Sequence, residues 1–310
     1  MSRTFGSQYT VRVAGVSLVC HVRGRGPLCV VHPGGPGMHW EYLRMPLVER
    51  DHTVIYLQPA GTGNSSDLPG DHRYDLATYV EHLDAVVREL SDGPVFVLGH
   101  AHGGFVAQSY ALRRPENVAG LILYATAPLA NVRTTAAARQ NLHRYAAANE
   151  HERDVAATVA AFDSPVGCDM PAATRRMRTI LPAYFAHYWR REAEFVRLRD
   201  TIWCWPRPAT EFDEVFDVRG MLSSITVPAL VVTGAHDFVA GPEIAAMLYL
   251  GIPVADLAVF GNSGHFAHLE EAERFAHVMT EFTSRTRNGV RSTVHHRQPD
   301  IASKARSSCW

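Results

Sequence analysis

The sequence predicts an α/β protein with a mostly parallel sheet, covered by helices on both faces and interrupted by a helical insertion. Three observations predict this fold class. First, the chain has 310 residues, of which 46% are hydrophobic, enough for one sizeable core. Second, short apolar segments alternate with segments of helical periodicity on both sides of the insertion. Third, between about residues 131 and 217 no strand pattern is evident, and Ala/Arg-rich helical segments appear instead.

The first half of the chain supplies the predicted elements in order. Two segments flank Gly15 and indicate a hairpin, Tyr9–Val13 and Ser17–Val22. Four short apolar strands are predicted after them, Leu28–His32, His52–Leu57, Val95–Leu98 and Val118–Tyr124. Helical spacing of apolar residues indicates helices over Tyr74–Leu90 and Gly103–Arg113. Ligands of parallel sheets bind beyond the carboxyl ends of the strands, where this chain has its Gly-rich loops.

The second half contains the insertion and the return of the sheet. Over residues 131–217 we expect a helical cap, in which aromatic residues either pack together or line a pocket: Tyr184, Tyr188, Trp189, Trp203 and Trp205. Strands then return at Val227–Thr233 and Leu257–Phe260, before a helix near Leu269–Phe282. The predicted division is a core of 1–130 and 218–285, a cap of 131–217, and a disordered tail of 286–310.

Composition excludes several classes of function. Lys+Arg number 30 and Asp+Glu 31, and this near-neutral balance gives no reason to expect nucleic acid or an anionic membrane as partner. No apolar run approaches the roughly 20 residues of a membrane span, and the N-terminus lacks a signal peptide's apolar core. The five cysteines lack CxxC spacing, which fits a reducing compartment. We expect a cytoplasmic monomer or homodimer that acts on a small molecule without cofactor or metal.

The segment VFVLGHAHGGFVAQ, residues 95–108, raises the central question of function. It predicts a strand, a sharp turn and the start of a helix, the arrangement that carries the nucleophile of many hydrolases in the pattern Gly-x-Ser-x-Gly. Here the pattern is GHAHG, with Ala101 at the nucleophile position. Asp237 and His265 follow later strands, in the chain order that such a site requires.

These residue types make chemical sense together. An imidazole takes a proton from a hydroxyl group, and a carboxylate holds that imidazole in the required tautomer. Backbone N–H groups stabilise the developing oxyanion. Gly34 and Gly35 lack side chains, so their amides can approach a substrate closely, and the amide of His102 follows the elbow residue.

The motifs together resemble the α/β-hydrolase superfamily over residues 9 to about 284, and specifically its proline-iminopeptidase-like branch. That branch carries HGGPG, which reads PGGPG at residues 33–37 here. The resemblance implies the α/β-hydrolase fold and an acyl hydrolase of the Ser-His-Asp type. His265 would be general base and then acid, Asp237 would orient it, and the amides of Gly34 or Gly35 and of His102 would form the oxyanion hole.

The expected pocket walls are His32, His100, Tyr184, Trp203 and Trp205. The cap also offers carboxylates that match no iminopeptidase motif, Glu192, Glu194, Glu211 and Glu214. A small ester, lactone or amide is therefore a safer substrate class than a peptide.

Three hypotheses explain Ala101. The chain is an inactive Ser→Ala variant of a hydrolase, which would keep the fold and the oxyanion donors. Alternatively, His265 and Asp237 act as a general base without a covalent step, as in a cofactor-free lyase, isomerase or oxygenase. In the third hypothesis the pocket binds a ligand without catalysis.

Overall fold

The computed structural model describes residues 7–70, 72–165, 167, 169–206 and 216–289. Its centre is an eight-stranded sheet in the order β1-β2-β4-β3-β5-β6-β9-β10. The strands are β1 Gln8–Val13, β2 Val16–Arg23, β3 Leu28–His32, β4 Thr53–Leu57, β5 Val95–His100, β6 Val118–Tyr124, β9 Ala229–Gly234 and β10 Ala255–Phe260. β2 pairs antiparallel with β1 and β4, and every other neighbouring pair is parallel. The predicted fold class is confirmed.

Helices cover both faces of this sheet because its central strands are apolar on both sides. All six residues of β5 are buried, with Val95 and Val97 in one apolar cluster and Phe96 and Leu98 in the other. This alternation follows from the two-residue repeat of a strand. The first cluster packs on α1 Leu76–Leu90, α2 His102–Arg113 and α7 Pro242–Gly251. The second packs on α9 Ala272–Arg287, which follows the short helix α8 Ala267–Glu270.

The helix α9 extends further than the sequence predicted. Thr286 and Arg287, assigned to the disordered tail, are its last residues. Arg285 forms an ion pair with Asp256 at 2.7 Å, and basic side chains near a helix C-terminus interact favourably with the helix dipole. The predicted tail from residue 290 onward lies outside the described residues.

In its described residues, the inserted region contains four α-helices, which lie between two very short strands. The strands β7 Leu129–Ala130 and β8 Phe216–Asp217 pair antiparallel, which the sequence analysis missed because two residues show no periodicity. The helices are α3 Val132–Ala148, α4 Val155–Asp163, α5 Met170–Ile180 and α6 Glu192–Thr201. A capping box at Asn131 starts α3. None of the helices in the described ranges has the length and apolar character needed to span a membrane.

Candidate active site

The turn between β5 and α2 holds Ala101 in a strained backbone conformation, with φ 49° and ψ −117°. L-residues rarely adopt this region. Three hydrogen bonds hold it in place: the Ala101 N–H donates to the Tyr124 carbonyl at 3.0 Å, and the Ala101 carbonyl accepts from the Gly104 N–H at 2.9 Å and the Thr126 hydroxyl at 2.7 Å. The strand, sharp turn and helix are thus present with a methyl group at the turn.

Glycines allow this turn to pack. A Cβ on Gly99 would overlap the carbonyl of Gly103, and a Cβ on Gly103 would overlap the carbonyl of His32. A Cβ on Gly104 would overlap the side chain of Thr126. Any larger residue at these positions would push the helix away from the strands.

Asp237 and His265 form a buried pair. His265 Nδ1 donates to Asp237 Oδ2 at 2.8 Å, and the two side chains are 6% and 0% exposed. Asp237 Oδ1 accepts the N–H groups of Val239 at 2.8 Å and Ala240 at 3.1 Å. The carboxylate is therefore fixed on both oxygens, and its bond to Nδ1 leaves Nε2 as the histidine nitrogen that can exchange a proton with a substrate.

A chain of hydrogen bonds connects the Gly-rich loop after β3 to the His265 loop. The Gly34 N–H donates to the Tyr42 hydroxyl at 2.7 Å, and that hydroxyl lies 2.8 Å from His100 Nδ1. His100 Nε2 lies 3.2 Å from the carbonyl of His265. The network assigns the proton of His100 to Nε2, with Tyr42 donating to Nδ1. Burial holds the pKa of His100 well below its usual value, so this imidazole is neutral.

These hydrogen bonds correct one part of the predicted oxyanion hole. The single N–H of Gly34 is bonded to Tyr42, so it is not directed at a substrate. The oxyanion donors, which stay a prediction, are then Gly35 and His102. His102 is the first residue of α2, where the helix dipole favours negative charge. Ala101 lies directly against this loop, because a Cβ on Gly34 would be 2.9 Å from the Ala101 Cβ.

The predicted pocket walls fall into separate groups. Tyr184 belongs to the site, since its ring lies 5.1 Å from the His265 ring and its carbonyl accepts the His265 N–H at 2.7 Å. The ring of His100 lies 4.6 Å from that of His265, and both of its nitrogens are engaged. His32 is buried on the carbonyl of Pro33 at 3.0 Å, with its ring 6.5 Å from that of His102 rather than against His265.

The two tryptophans, Trp203 and Trp205, contact other residues than His265. Trp203 is 44% exposed and packs under the guanidinium of Arg178. The ring of Trp205 stacks on His39 at 5.9 Å. Neither contact places a tryptophan against the His265 imidazole, so their predicted role as pocket walls has no support from these contacts.

Comparisons with known proteins identify the family of this chain. Residues 27–272, well over half of the chain, match the family described as alpha/beta hydrolase fold. The chain belongs to this family. A 2-hydroxymuconate semialdehyde hydrolase from Pseudomonas sp. (strain CF600) is 27% identical over 277 residues, covering 87% of this chain and 91% of the relative. A proline iminopeptidase from Saccharolobus solfataricus is 25% identical over 287 residues, covering 87% and 90%.

Solved structures share the alpha/beta hydrolase fold with this chain. A proline iminopeptidase from Mycobacterium smegmatis superposes with a TM-score of 0.66 at 23% identity, covering 90% of this chain and 98% of that one. A meta-cleavage product hydrolase from Pseudomonas fluorescens, a serine-to-alanine mutant complexed with acetates, gives 0.66 at 21% identity, covering 89% and 97%. The relatives named by sequence are hydrolases, which places this family member among hydrolases at the general level.

Two of the four cap carboxylates singled out in the sequence, Glu192 and Glu194, are engaged in ion pairs. Glu192 pairs with Arg153 at 2.6 Å and with Arg199 at 3.4 Å, and Glu194 pairs with Arg191 at 2.8 Å. The other two predicted candidates, Glu211 and Glu214, lie outside the described residues. Within the described ranges, no group of three or more His, Cys, Asp or Glu side chains is arranged to hold a metal ion.

Sequence reasoning missed two residues that shape the site of this alpha/beta hydrolase. Tyr42 lies in a short 3₁₀ helix over Trp40–Leu43, in no recognisable motif. Glu270 lies in α8, five residues after His265, and its carboxylate accepts two backbone N–H groups. The five-residue spacing from His265 is the only signal that could have drawn attention to Glu270.

Proposed function

We propose that the site is that of an acyl hydrolase of the Ser-His-Asp type for a small ester, lactone or amide, with Ala101 at the position of the nucleophile. The observation that carries this proposal is the buried pair of Asp237 and His265 beside a turn held at φ 49°. Such a backbone conformation costs on the order of 1–3 kcal/mol. That strain serves a purpose when the turn presents a reactive side chain to a substrate.

With a serine at this turn, each group has a defined task. Nε2 of His265 takes the hydroxyl proton as the oxygen attacks the acyl carbon, and Asp237 stabilises the imidazolium that forms. The amides of Gly35 and His102 stabilise the oxyanion, and His265 returns the proton to the leaving group. With Ala101 the covalent step is absent. We expect the chain as given to bind substrate and to be slower than the serine form by up to about 10⁶-fold.

The division into core and cap stays part of this proposal, with residues 131–217 as the cap. Three backbone hydrogen bonds support it, because the inserted region meets the loops on both sides of the site. Tyr184 accepts the His265 N–H at 2.7 Å on one side. On the other, the Trp205 N–H donates to the Gly37 carbonyl at 2.8 Å and the His39 N–H donates to Trp203 at 3.0 Å. A substrate would then bind between cap and core.

In the described part of the cap, the two candidate carboxylates favour an uncharged acyl group over a peptide with a free amine. An amine needs an unpaired carboxylate, whereas Glu192 and Glu194 are bonded to arginines. The relatives include both a 2-hydroxymuconate semialdehyde hydrolase and proline iminopeptidases. They therefore do not discriminate between the two substrate classes, and the choice between these classes depends on the residues of the site.

A second candidate function is proton abstraction by the His265–Asp237 pair, as in a cofactor-free lyase, isomerase or oxygenase. The intact pair beside Ala101 favours it, because a general base that removes a C–H or O–H proton needs no serine. The third hypothesis, a non-catalytic binding protein, requires only the pocket.

The test compares p-nitrophenyl ester hydrolysis by the chain as given, by His265→Ala, by Ala101→Ser, and by Ala101→Ser combined with His265→Ala. The proposal predicts turnover in Ala101→Ser alone. Activity of the given chain that is lost on His265→Ala supports proton abstraction instead. If no variant hydrolyses esters of several acyl lengths, the hydrolase proposal is wrong.

A further inference from the structure

Glu270 is a buried carboxylate outside the proposed triad, with 6% of its surface exposed. Its Oε1 accepts the N–H of Ala186 at 2.8 Å, and its Oε2 accepts the N–H of Gly264 at 2.7 Å. Ala186 belongs to the inserted region, and Gly264 directly precedes His265. One side chain therefore bonds both the cap and the loop after β10 that carries Gly264 and His265.

Other contacts hold the same junction together. The His265 N–H donates to the Tyr184 carbonyl at 2.7 Å, and Gly264 packs so closely on that carbonyl that a Cβ would overlap it. Arg191, also in the inserted region, donates to the backbone carbonyl of Glu270 at 3.1 Å. The junction thus holds the backbone on which the imidazole of His265 is carried.

We propose that Glu270 is a positioning residue that locks the 184–186 segment of the cap onto the Gly264–His265 backbone and thereby places the His265 imidazole against the substrate. This inference rests on the proposed role of His265 as the general base. Asp237 fixes the rotation of the ring through Nδ1, but it does not fix the backbone that carries the ring. Glu270 supplies that second restraint from the cap side.

The lock depends on the charge of Glu270. An ionised carboxylate accepts on both oxygens, whereas protonation converts one of them to a donor. Burial raises the pKa of Glu270 to about 7, against the opposing effect of its bonds to Gly264 and Ala186. The charged and titratable groups that face it are Arg191, which favours the anion, Glu271, which disfavours it, and the hydroxyls of Tyr124 and Tyr145. The lock is therefore strongest at a pH well above 7 and weakens as the pH falls through about 7.

The chain offers a matched pair of variants. Glu270→Gln keeps the shape but replaces one acceptor with an NH₂ donor, so it cannot accept both N–H groups. Glu271→Gln is the control, because Glu271 accepts from the Asn262 N–H at 3.0 Å and the Ser263 hydroxyl at 2.7 Å. These bonds hold the loop before His265 to the residue that precedes α9, without reaching the 184–186 segment.

The first experiment needs no activity. Amide hydrogen exchange in the chain as given is expected to show protection of Ala186 and Gly264 reduced about 10- to 100-fold in Glu270→Gln, the loss that one charged hydrogen bond implies. Glu271→Gln is expected to keep the protection of Ala186. The Nδ1–H proton resonance of His265 is expected to move in Glu270→Gln only. Unchanged protection of Ala186 in Glu270→Gln would overturn the proposal.

The second experiment measures the pH profile of kcat in the Ala101→Ser background. We expect the acid limb of log kcat to fall more steeply than about one unit per pH unit in Ala101→Ser and with Glu271→Gln, because two groups protonate. With Glu270→Gln the slope is expected to be about one. The same slope in all three overturns the positioning role. If Ala101→Ser hydrolyses nothing, the proposed function fails, while exchange and the His265 resonance still decide whether Glu270 locks the loop.

Discussion

Acid should lower the free energy of unfolding through the buried histidines. The size of this effect can be worked out for His268. Its side chain is 4% exposed; Nδ1 lies 2.8 Å from the Tyr124 hydroxyl and Nε2 lies 2.8 Å from the Tyr42 carbonyl. Burial lowers the pKa of His268 from 6.5 to about 4, despite the bond to Tyr42. The unfolded chain therefore takes up a proton at a pH where the folded chain does not.

The sign and size follow from these two pKa values. The folded-state pKa lies below the unfolded one, so the stabilising contribution is present above about pH 6.5 and is lost as pH falls toward 4. A difference of about 2.5 pH units corresponds to about 3 kcal/mol in the free energy of unfolding. Between about pH 7 and pH 5 the loss from His268 alone is about 2 kcal/mol. His32, whose pKa is also lowered to about 4 by burial, adds a similar loss.

Urea unfolding followed by tryptophan fluorescence at both pH values measures this loss. His268→Gln cannot titrate, so its stability should fall by about 2 kcal/mol less than that of the parent on going from about pH 7 to pH 5. His277→Gln is the control, because the side chain of His277 is 79% exposed. Equal losses in the parent and in His268→Gln would refute the reasoning.

Two further predictions concern the site. Tyr42→Phe leaves the Gly34 N–H without its acceptor and His100 Nδ1 without its donor, so the free energy of unfolding should fall by about 2–4 kcal/mol; a change under about 0.5 kcal/mol in urea unfolding would mean that this hydrogen-bond chain is wrong. Asp237→Asn in the Ala101→Ser background should lower kcat about 10⁴-fold, because the amide favours the wrong tautomer of His265; ester hydrolysis at an unchanged rate would remove Asp237 from the mechanism.

Local patterns in the sequence were enough to predict the sheet and the turn at Ala101. Short apolar strands, the spacing of apolar residues over Tyr74–Leu90 and the run of glycines after β5 each express a local constraint on the backbone. Asp237 and His265 could also be predicted, because both follow strands of a parallel sheet and such strand ends meet at one edge. The structure places these two side chains 2.8 Å apart.

The rest of the site depends on contacts between residues distant in sequence. Tyr42 reaches His100 across 58 positions, and Glu270 reaches Ala186 across 84. No periodicity or motif encodes either contact. The same contacts explain why Gly34 was a poor choice of oxyanion donor, since its amide is committed to a side chain whose position only the fold determines.

The most direct test of the central claim is acylation of the Ala101→Ser variant by p-nitrophenyl acetate. Stopped-flow absorbance measures the burst of p-nitrophenol, and peptide mass spectrometry locates the acyl group. The account predicts a burst close to one equivalent per chain, with the acyl group on the introduced serine and none on the chain as given. A burst absent from Ala101→Ser, or an acyl group on any other residue, would contradict the claim that this turn lacks only its nucleophile.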